Sequence, residues 1–228
     1  MGGGDWTGPF ASATLRDMDG PLSRVGAPRV EALPPAPGTP GGEFYGWLTE
    51  NAARVQVRLD DISRRWKSLG SFIEVNYRHP ELGMAGAVVM TSRVEDFDRY
   101  RHRITRITVI PHEDVSPYLP RWRRGEAVLV AVDEMPEPLA LRYANTRVKW
   151  SLNVPLMVSG EWVGLVGAVT SVPVSESMLE AYRALAVLIE WEFASSKAWN
   201  LFRATLAADR SCNDKRFPQG VQEERRDG

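Results

Sequence analysis

Residues 151–169 form the most restrictive stretch of the sequence, SLNVPLMVSGEWVGLVGAV, in which two apolar runs flank the turn sequence SGEW. Strand alternation divides the first run into two rows, namely Ser151, Asn153 and Pro155 in one row and Leu152, Val154 and Leu156 in the other. Because the runs are apolar on both sides, they predict a β-hairpin with both faces covered. We expect the aliphatic row to face helices and the row with Ser151 and Asn153 to face loops.

A helix with a regular apolar seam precedes the strands. Its apolar residues follow alternating steps of four and three, and they are Leu48, Ala52, Val55, Leu59, Ile62, Trp66 and Leu69. This a/d spacing is typical of a helix that packs along one stripe. Two interpretations stay open: the helix packs on its own sheet, or it shares the seam with a second subunit. Gly70 is expected to end the helix as a left-handed cap.

The order of the remaining elements predicts the fold class. Alternating or β-branched segments indicate strands at 71–77, 83–92, 103–110 and 126–133 besides the hairpin, with short helices at 116–125 and 137–148. One long helix closes the domain, and Ser177 with Glu180 matches a capping box at its start. Terminal helices and a mostly antiparallel sheet make a two-layer α+β domain. We expect these helices on one sheet face, with short helices and loops on the other.

Composition changes mark the ends of the domain. Residues 1–40 are rich in glycine and proline, which predicts a disordered arm. The folded domain is predicted to run from residue 43 to residue 206, followed by a polar tail at 207–228. A domain of this length can bury an adequate core without disulfides or structural metals.

The second half of the domain resembles a GAF domain of the type common in bacterial sensor kinases, phosphatases and cyclases. RWRRGEAVLVAVDEMP (121–136) resembles the short helix, Gly-Glu pair and strand of that family, and WSLNVPLMVSGEWVGLVGA (150–168) resembles its hairpin. The resemblance implies a sheet of five or six strands, a ligand pocket opposite the terminal helices, and dimerisation through those helices. It favours the shared seam, whose predicted interface residues are Leu48, Ala52, Val55, Leu59, Ile62 and Trp66.

A pocket beneath the loops would be lined by inward residues of the hairpin and its neighbouring strands. We predict seven ligand-binding residues, which are Thr91, Asp133, Trp150, Ser151, Asn153, Val166 and Ala168. The alternative, in which side chains simply fill the space, stays open because a fold alone does not confer a function.

Cysteine and histidine usage limits the cofactors. Family members that attach a linear tetrapyrrole use a cysteine inside the domain, whereas the single cysteine here is Cys212, so we expect no covalent tetrapyrrole. Haem is not expected, because His79, His102 and His112 are interpreted as solvated loop histidines. The sequence contains no phosphate-binding glycine loop, no G-x-S-x-G motif and no zinc-ligand spacing, so neither catalysis nor a metal is expected.

Charge and hydropathy argue against nucleic-acid and membrane partners. The formal net charge is −1, and no apolar stretch is long enough to span a bilayer. In RWRRGE (121–126) we expect Trp122 to pack beneath its helix while the arginines face solvent. The single cysteine and the lack of a signal peptide at the N-terminus suggest the cytoplasm.

Two functions from different classes fit these patterns. The first is a non-catalytic regulatory sensor that binds a small molecule and signals through a helical homodimer interface. The second is a ligand-free module for dimerisation and protein interaction. No kinase, cyclase, phosphatase or helix-turn-helix segment follows residue 206. Either function is therefore expected to need an output protein, such as a kinase, phosphatase or transcription regulator.

Overall fold

The computed structural model describes residues 34–93, 108–144 and 146–216. Several predicted segments lie outside the described residues: the arm up to residue 33, the connector 94–103 with His102, most of the strand 103–110, and the tail from residue 217. The helices, strands and side-chain contacts given below belong to the described ranges.

Six antiparallel strands, all within the described ranges, form the central sheet. They are β1 (Gly70–His79), β2 (Gly83–Thr91), β3 (Thr108–Pro111), β4 (Val128–Ala131), β5 (Trp150–Val158) and β6 (Glu161–Thr170). Their order across the sheet is β3-β2-β1-β6-β5-β4, which places β1 and β6 at the centre. The β5–β6 hairpin turns at Ser159 and Gly160, whose φ values of 51° and 80° are those that a primed two-residue hairpin turn requires.

Helices cover the two faces of this sheet unequally. One face packs against α1 (Pro40–Glu50), α2 (Ala52–Arg65), α5 (Glu176–Ala194) and α6 (Ala198–Arg216). The other face packs against the short helices α3 (Leu119–Arg123) and α4 (Glu137–Ala140) and the 3-10 turns Val132–Glu134 and Leu141–Tyr143. We call these the helix face and the loop face. The predicted α+β architecture is confirmed.

Among the described residues, no helix combines the length and the apolar character needed to cross a membrane.

The predicted division of β5 into two rows is confirmed. Leu152, Val154 and Leu156 pack into the helix-face core. Ser151 and Asn153 lie on the loop face, opposite Val130 and Val128 of β4. The hairpin is apolar on both sides because each side has its own layer of helix or loop to cover it.

Both long helices expected from the sequence are interrupted. The first divides into α1 and α2 at Asn51, whose side-chain amide donates to the Trp47 carbonyl at 2.9 Å. The second divides into α5 and α6, and the Ser196 hydroxyl at this break donates to the Phe193 carbonyl at 2.6 Å. The second break directs α6 back against α1. It also brings Phe202 of α6, which is fully buried, edge-on to Phe193 of α5 with ring centroids 5.3 Å apart.

Helix caps differ from their predicted positions by two or three residues. α2 ends at Arg65, and the left-handed residue after it is Lys67 with φ 50°, not Gly70, which begins β1. α5 starts earlier than predicted, because Ser175 and not Ser177 accepts the cap hydrogen bond, from the Met178 backbone at 3.2 Å. A serine N-cap was predicted correctly in kind, whereas the glycine C-cap and the Ser177–Glu180 capping box were wrong, because Lys67 takes the left-handed position and Met178 stands three residues after Ser175.

The predicted dimer seam packs inside the protein itself. Leu48, Val55 and Leu59 are at most 1% exposed and belong to the helix-face core. Ile62 and Trp66 are partly buried against the same core, and Ala52 is half-buried. The prediction of these residues as a dimer interface is therefore wrong for the three that are buried, because a side chain in the core has no surface left for a second subunit.

A network of buried hydroxyl groups joins the helices to the sheet. The Ser63 hydroxyl on α2 lies 2.7 Å from that of Ser68 and 3.0 Å from that of Ser92. The Ser92 hydroxyl accepts from the Ser71 backbone at 2.9 Å, and the Ser71 hydroxyl bonds the hydroxyl of Tyr182 on α5. All five residues are buried. The network thus connects α2, β1, the end of β2 and α5 through satisfied polar contacts.

Removing one hydroxyl from this network tests how much it stabilises the fold. Tyr182→Phe keeps the aromatic ring and removes the shorter hydrogen bond of the Ser71 hydroxyl, leaving only its contact with the Ser68 hydroxyl at 3.4 Å. We therefore expect the free energy of unfolding to fall by about 1–2 kcal/mol. Urea unfolding at neutral pH measures the change. Tyr45→Phe, at a partly buried tyrosine of α1, is the matched control and should change stability by less than about 0.5 kcal/mol. Equal losses in the two variants would contradict the network's role.

Candidate functional site

The loop face carries polar side chains at positions where a covered sheet face is normally apolar. Glu74 and Asn76 lie on β1, and Ser151 lies on β5; they are 5%, 7% and 3% exposed. Asn153, also on β5, is half-buried. Burying polar groups costs free energy unless they find hydrogen-bonding partners. Their concentration on one face therefore marks it as the candidate functional site, which we call the loop-face site.

Two glycines make room for side chains that lie across this face. A β-carbon at Gly86 of β2 would lie 1.9 Å from Oε1 of Glu74, and one at Gly167 of β6 would lie 2.5 Å from Cζ of Phe72. The Glu74 carboxyl therefore extends over β2, while the Phe72 ring lies over β6. A carboxyl group and an aromatic ring together form the floor of the site.

Burial governs the chemistry of the Glu74 carboxyl. It raises the pKa of Glu74 to about 7, and the positive charge of Arg142 acts in the opposite direction. The Arg142 guanidinium is itself engaged, because it donates to the Val109 carbonyl at 3.3 Å and lies 3.9 Å from a carboxylate oxygen of Asp114. In the part of the chain that the structure describes, Glu74 forms no salt bridge. A positive charge placed nearby would convert this carboxyl fully to its anionic form.

Hydrogen-bonding groups border the carboxyl on the β5 side. The Asn153 side-chain amide donates to the Ser151 hydroxyl at 3.2 Å. Burial raises the pKa of Tyr143, the neighbouring Ser151 hydroxyl and the charge on Arg142 act in the opposite direction, and the charge on Glu74 adds to the rise. The Tyr143 ring packs in the same apolar cluster as Phe72. The site therefore combines one carboxyl, two aromatic rings and neutral polar groups.

A second polar group lies further along β1. His112 Nε2 is 3.4 Å from Oδ1 of Asn76, and the His112 ring stacks on Trp162 with centroids 5.2 Å apart. Burial lowers the pKa of His112 to about 4, and Arg123 contributes in the same direction. Among the described residues, His112 Nδ1 and the indole nitrogen of Trp122 have no hydrogen-bond partner. This end of the face is a packed aromatic cluster with a neutral histidine.

The histidine interpretation from the sequence is wrong for the two described histidines. His112 is 8% exposed and His79 only 2%. His79 Nδ1 accepts hydrogen bonds from the backbone amides of Glu81 and Leu82 at 3.1 and 3.3 Å, so it stabilises the β1–β2 turn. In contrast, Trp122 is buried and its neighbouring arginines are exposed, as predicted.

Only part of the predicted ligand set comes together on the loop face. Ser151 and Asn153 lie together there. Thr91 lies in the same cross-strand row as Asn153, because Thr91 pairs with Phe72, Phe72 pairs with Gly167, and Gly167 pairs with Asn153. Asp133 is exposed in the turn after β4. Trp150, at the start of β5, is half-buried and pairs with Ala131 and Thr170.

Val166 and Ala168 are corrections, because they lie on the helix face. Both are fully buried in the core beneath the terminal helices. Val166 pairs with Val154, and Ala168 pairs with Leu152, so they share the face of the aliphatic row. The opposite residues of β6, Leu165 and Val169, are the ones that pack under the loops.

Sequence reasoning missed Glu74, Asn76 and Tyr143. A signal for the first two was present: the strand segment SFIEVNY (71–77) carries Phe72, Glu74 and Asn76 on one face of a strand that becomes central. No comparable signal existed for Tyr143, because its position depends on the 3-10 turn after α4.

No group of three or more histidine, cysteine, aspartate or glutamate side chains within the described ranges could hold a metal ion. An open groove of about 360 Å³ runs between β4 and the start of α5, and its lining includes Leu129, Leu152 and Leu179 with Arg121 and Glu176 at its polar parts. This groove lies on the helix side of β4 and contains none of the seven predicted ligand residues.

No family model and no curated protein matches the sequence. The fold does match solved structures. The blue-light-absorbing form of the PixJ GAF domain from Thermosynechococcus elongatus has 14% identity and a TM-score of 0.50, and the match covers 74% of this chain and 95% of that one. The protein therefore has a GAF-like fold.

Two further solved structures show lower similarity. A GAF domain/HD domain protein from Geobacter sulfurreducens has 14% identity and a TM-score of 0.47, with 61% of this chain and 92% of that chain covered. The phycoerythrobilin-bound GAF domain of a cyanobacterial phytochrome has 15% identity and a TM-score of 0.48, with coverage of 72% and 96%.

Proposed function

We propose that the protein is a non-catalytic sensor domain that binds a small molecule at the loop-face site and transmits binding through its helices to a partner. The observation that carries the proposal is the polar set of buried Glu74 and Ser151 with half-buried Tyr143 and Asn153, on a sheet face that the described residues cover with short helices and turns. Polar groups of this kind orient ligands in otherwise apolar sites. The GAF-like fold supports the same proposal by analogy alone.

Native mass spectrometry of freshly purified protein tests ligand binding directly. A sensor is expected to retain a small molecule or to gain thermal stability from members of a compound library, because ligands that bind only the folded state raise the melting temperature. The alternative function, a ligand-free interaction module, predicts the bare polypeptide mass and no stabilising compound. That second result would refute the sensor proposal.

Tetrapyrroles deserve a separate test, because one neighbouring structure contains phycoerythrobilin. We expect no covalent tetrapyrrole here, since the single cysteine, Cys212, lies near the end of α6 and far along the chain from the loop-face residues. Haem is not expected either, because His79 accepts backbone hydrogen bonds through Nδ1 and His112 is stacked on Trp162. We expect the absorption spectrum of the denatured protein to contain no visible band. A bilin or haem band would contradict this expectation.

For the dimer interface we propose the outward stripe of α5 in place of the buried seam. Ala184, Val187, Leu188 and Trp191 recur at steps of three, one and three, so they share one helical face. Val187 and Trp191 are 62% and 65% exposed, although both are large and apolar. An exposed apolar stripe with this periodicity is typical of helix pairing, and a second copy offers the matching stripe.

Trp191→Glu tests this interface. A buried charge at the centre of a helix pair is costly and aromatic residues often dominate such interfaces, so we expect the dimer dissociation constant to rise by at least about tenfold. Sedimentation velocity over a concentration series measures it. Val172→Glu, at an apolar residue of similar exposure outside the helices, is the control and should leave the constant unchanged. A monomeric unmodified protein would refute the interface.

A further inference from the structure

We propose that the loop-face site takes a small organic cation, a primary amine or guanidinium carried on an aromatic body, with its charged group at the Glu74 carboxyl. This inference rests on the proposed function, because it names the chemical class of ligand for the same site. The reasons lie in the carboxyl, the two rings and the neutral groups that surround them.

The Glu74 carboxyl is held away from solvent, where a carboxylate needs a compensating charge. It is on a residue only 5% exposed, and it occupies the space above Gly86 that any β-carbon would fill. A lone carboxylate at such a place loses its hydration without replacement, whereas a bound cation restores the charge balance. The raised pKa of Glu74 agrees with a carboxyl to which the described residues supply no salt-bridge partner.

The nearest described cation does not fill this role. The Arg142 guanidinium donates to the Val109 carbonyl at 3.3 Å and lies 3.9 Å from Asp114, so its hydrogen bonds are directed to β3 and the loop after it. Its charge influences Glu74 without forming a salt bridge to it. An anionic ligand would instead meet the carboxylate at short range, and like charges in a buried site repel strongly.

Two aromatic rings complete a cation site. The Phe72 ring lies over Gly167, and the Tyr143 ring packs against the same apolar cluster, so both rings belong to the floor and wall beside Glu74. Organic cations are attracted to ring faces in addition to carboxylates. The Ser151 hydroxyl and the Asn153 amide add neutral hydrogen-bonding groups on the β5 side, which suits the N–H groups of an amine.

The test compares matched probes that differ only in the charge of one group. Tyramine, tyrosol and hydroxyphenylacetate form one set, and benzylamine, benzyl alcohol and benzoate form another. Binding to the full-length protein is measured by isothermal titration calorimetry, with melting temperatures as a second readout. We expect the amines to bind at least about tenfold more tightly than the alcohols, which corresponds to about 1.4 kcal/mol, and the carboxylates not to bind.

Two variants test whether the preference for amines depends on the Glu74 carboxyl. Glu74→Gln removes the charge with little change in shape, and we expect it to weaken amine binding by about tenfold or more and to abolish the preference for amine over alcohol. Glu50→Gln, at an exposed carboxyl of α1, is the control and should bind like the unmodified protein. If Glu74→Gln fails to fold, the preference of the unmodified protein between amine and alcohol still decides the question.

The outcomes separate this inference from the proposed function. Equal or tighter binding of the alcohols or carboxylates, or amine binding that is unchanged in Glu74→Gln, overturns the cation proposal and leaves a ligand-binding site in place. A retained molecule seen by native mass spectrometry supports the proposal if it is a cation and overturns it if it is neutral or anionic. If none of the six probes binds and no molecule is retained, both proposals fail.

Discussion

Replacement of Gly164 with alanine is expected to lower the free energy of unfolding by about 3 kcal/mol, because the centre of the sheet has no space for the added carbon. A β-carbon at this position of β6 would lie 2.0 Å from the Glu74 carbonyl oxygen and 3.2 Å from Cα of Val75. Both atoms belong to the backbone of β1, so relief requires the two central strands to separate. Gly164 has no positive φ, and the expected loss therefore comes from packing and not from backbone strain.

Gly46→Ala is the matched control for this change. Nothing lies within 4 Å of a β-carbon built at Gly46, which is exposed on α1. Alanine favours a helix over glycine by about 0.5–1 kcal/mol, so this variant should become more stable by that amount. Urea unfolding of both variants gives the comparison. A Gly164→Ala protein as stable as the unmodified one would show that β1 and β6 are not held at the spacing described.

Stability is expected to vary little with pH between about 4.5 and 6.5 on account of Glu74 and His112, because their contributions oppose each other. The pKa of Glu74 is about 7 in the folded state against an ordinary 4.5, so the folded protein keeps a proton that the unfolded chain releases, and raising the pH lowers stability. The pKa of His112 is about 4 against an ordinary 6.5, so here the unfolded chain keeps the proton, and raising the pH increases stability.

Single variants should show the pH dependence of stability that each of the two groups contributes. Glu74→Gln removes the carboxyl effect, so its stability relative to the unmodified protein should rise by about 3 kcal/mol between pH 4.5 and 7. His112→Gln removes the histidine effect, so its stability relative to the unmodified protein should fall by a similar amount between pH 4 and 6.5. Differences between curves cancel the groups common to all three proteins. Parallel pH curves would mean that neither group has the described environment.

Much of the fold could be predicted because it follows from local periodicity. Alternation in β5 assigned Leu152 to the helix face and Ser151 to the loop face, and both assignments are confirmed. The turn at Ser159 and Gly160 is likewise a local feature. The same logic failed for Val166 and Ala168, because the strand is small and apolar on both faces and no polar residue marks which side meets the loops.

The parts that could not be predicted depend on contacts between distant residues. The a/d seam has the same spacing in a helix that packs on its own core and in one that pairs with a partner. The three-dimensional structure distinguishes the two, because Leu59 is completely buried in it. The helix breaks at Asn51 and Ser196 lack proline or glycine signals. Glu74 became a site residue because Gly86, on another strand, leaves room for it.

One helix, α5, lies between the sheet and the outside of the molecule. Its inner side carries Tyr182, which reaches Ser71 of β1, and its outer side carries Val187 and Trp191. An α-helix with its side chains is only about 10 Å thick, so movement of β1 would shift the outer surface directly, with no intervening layer to absorb it. A displacement of β1 at the inner side of α5 would therefore be carried to the exposed apolar side chains on its outer side by one rigid helix.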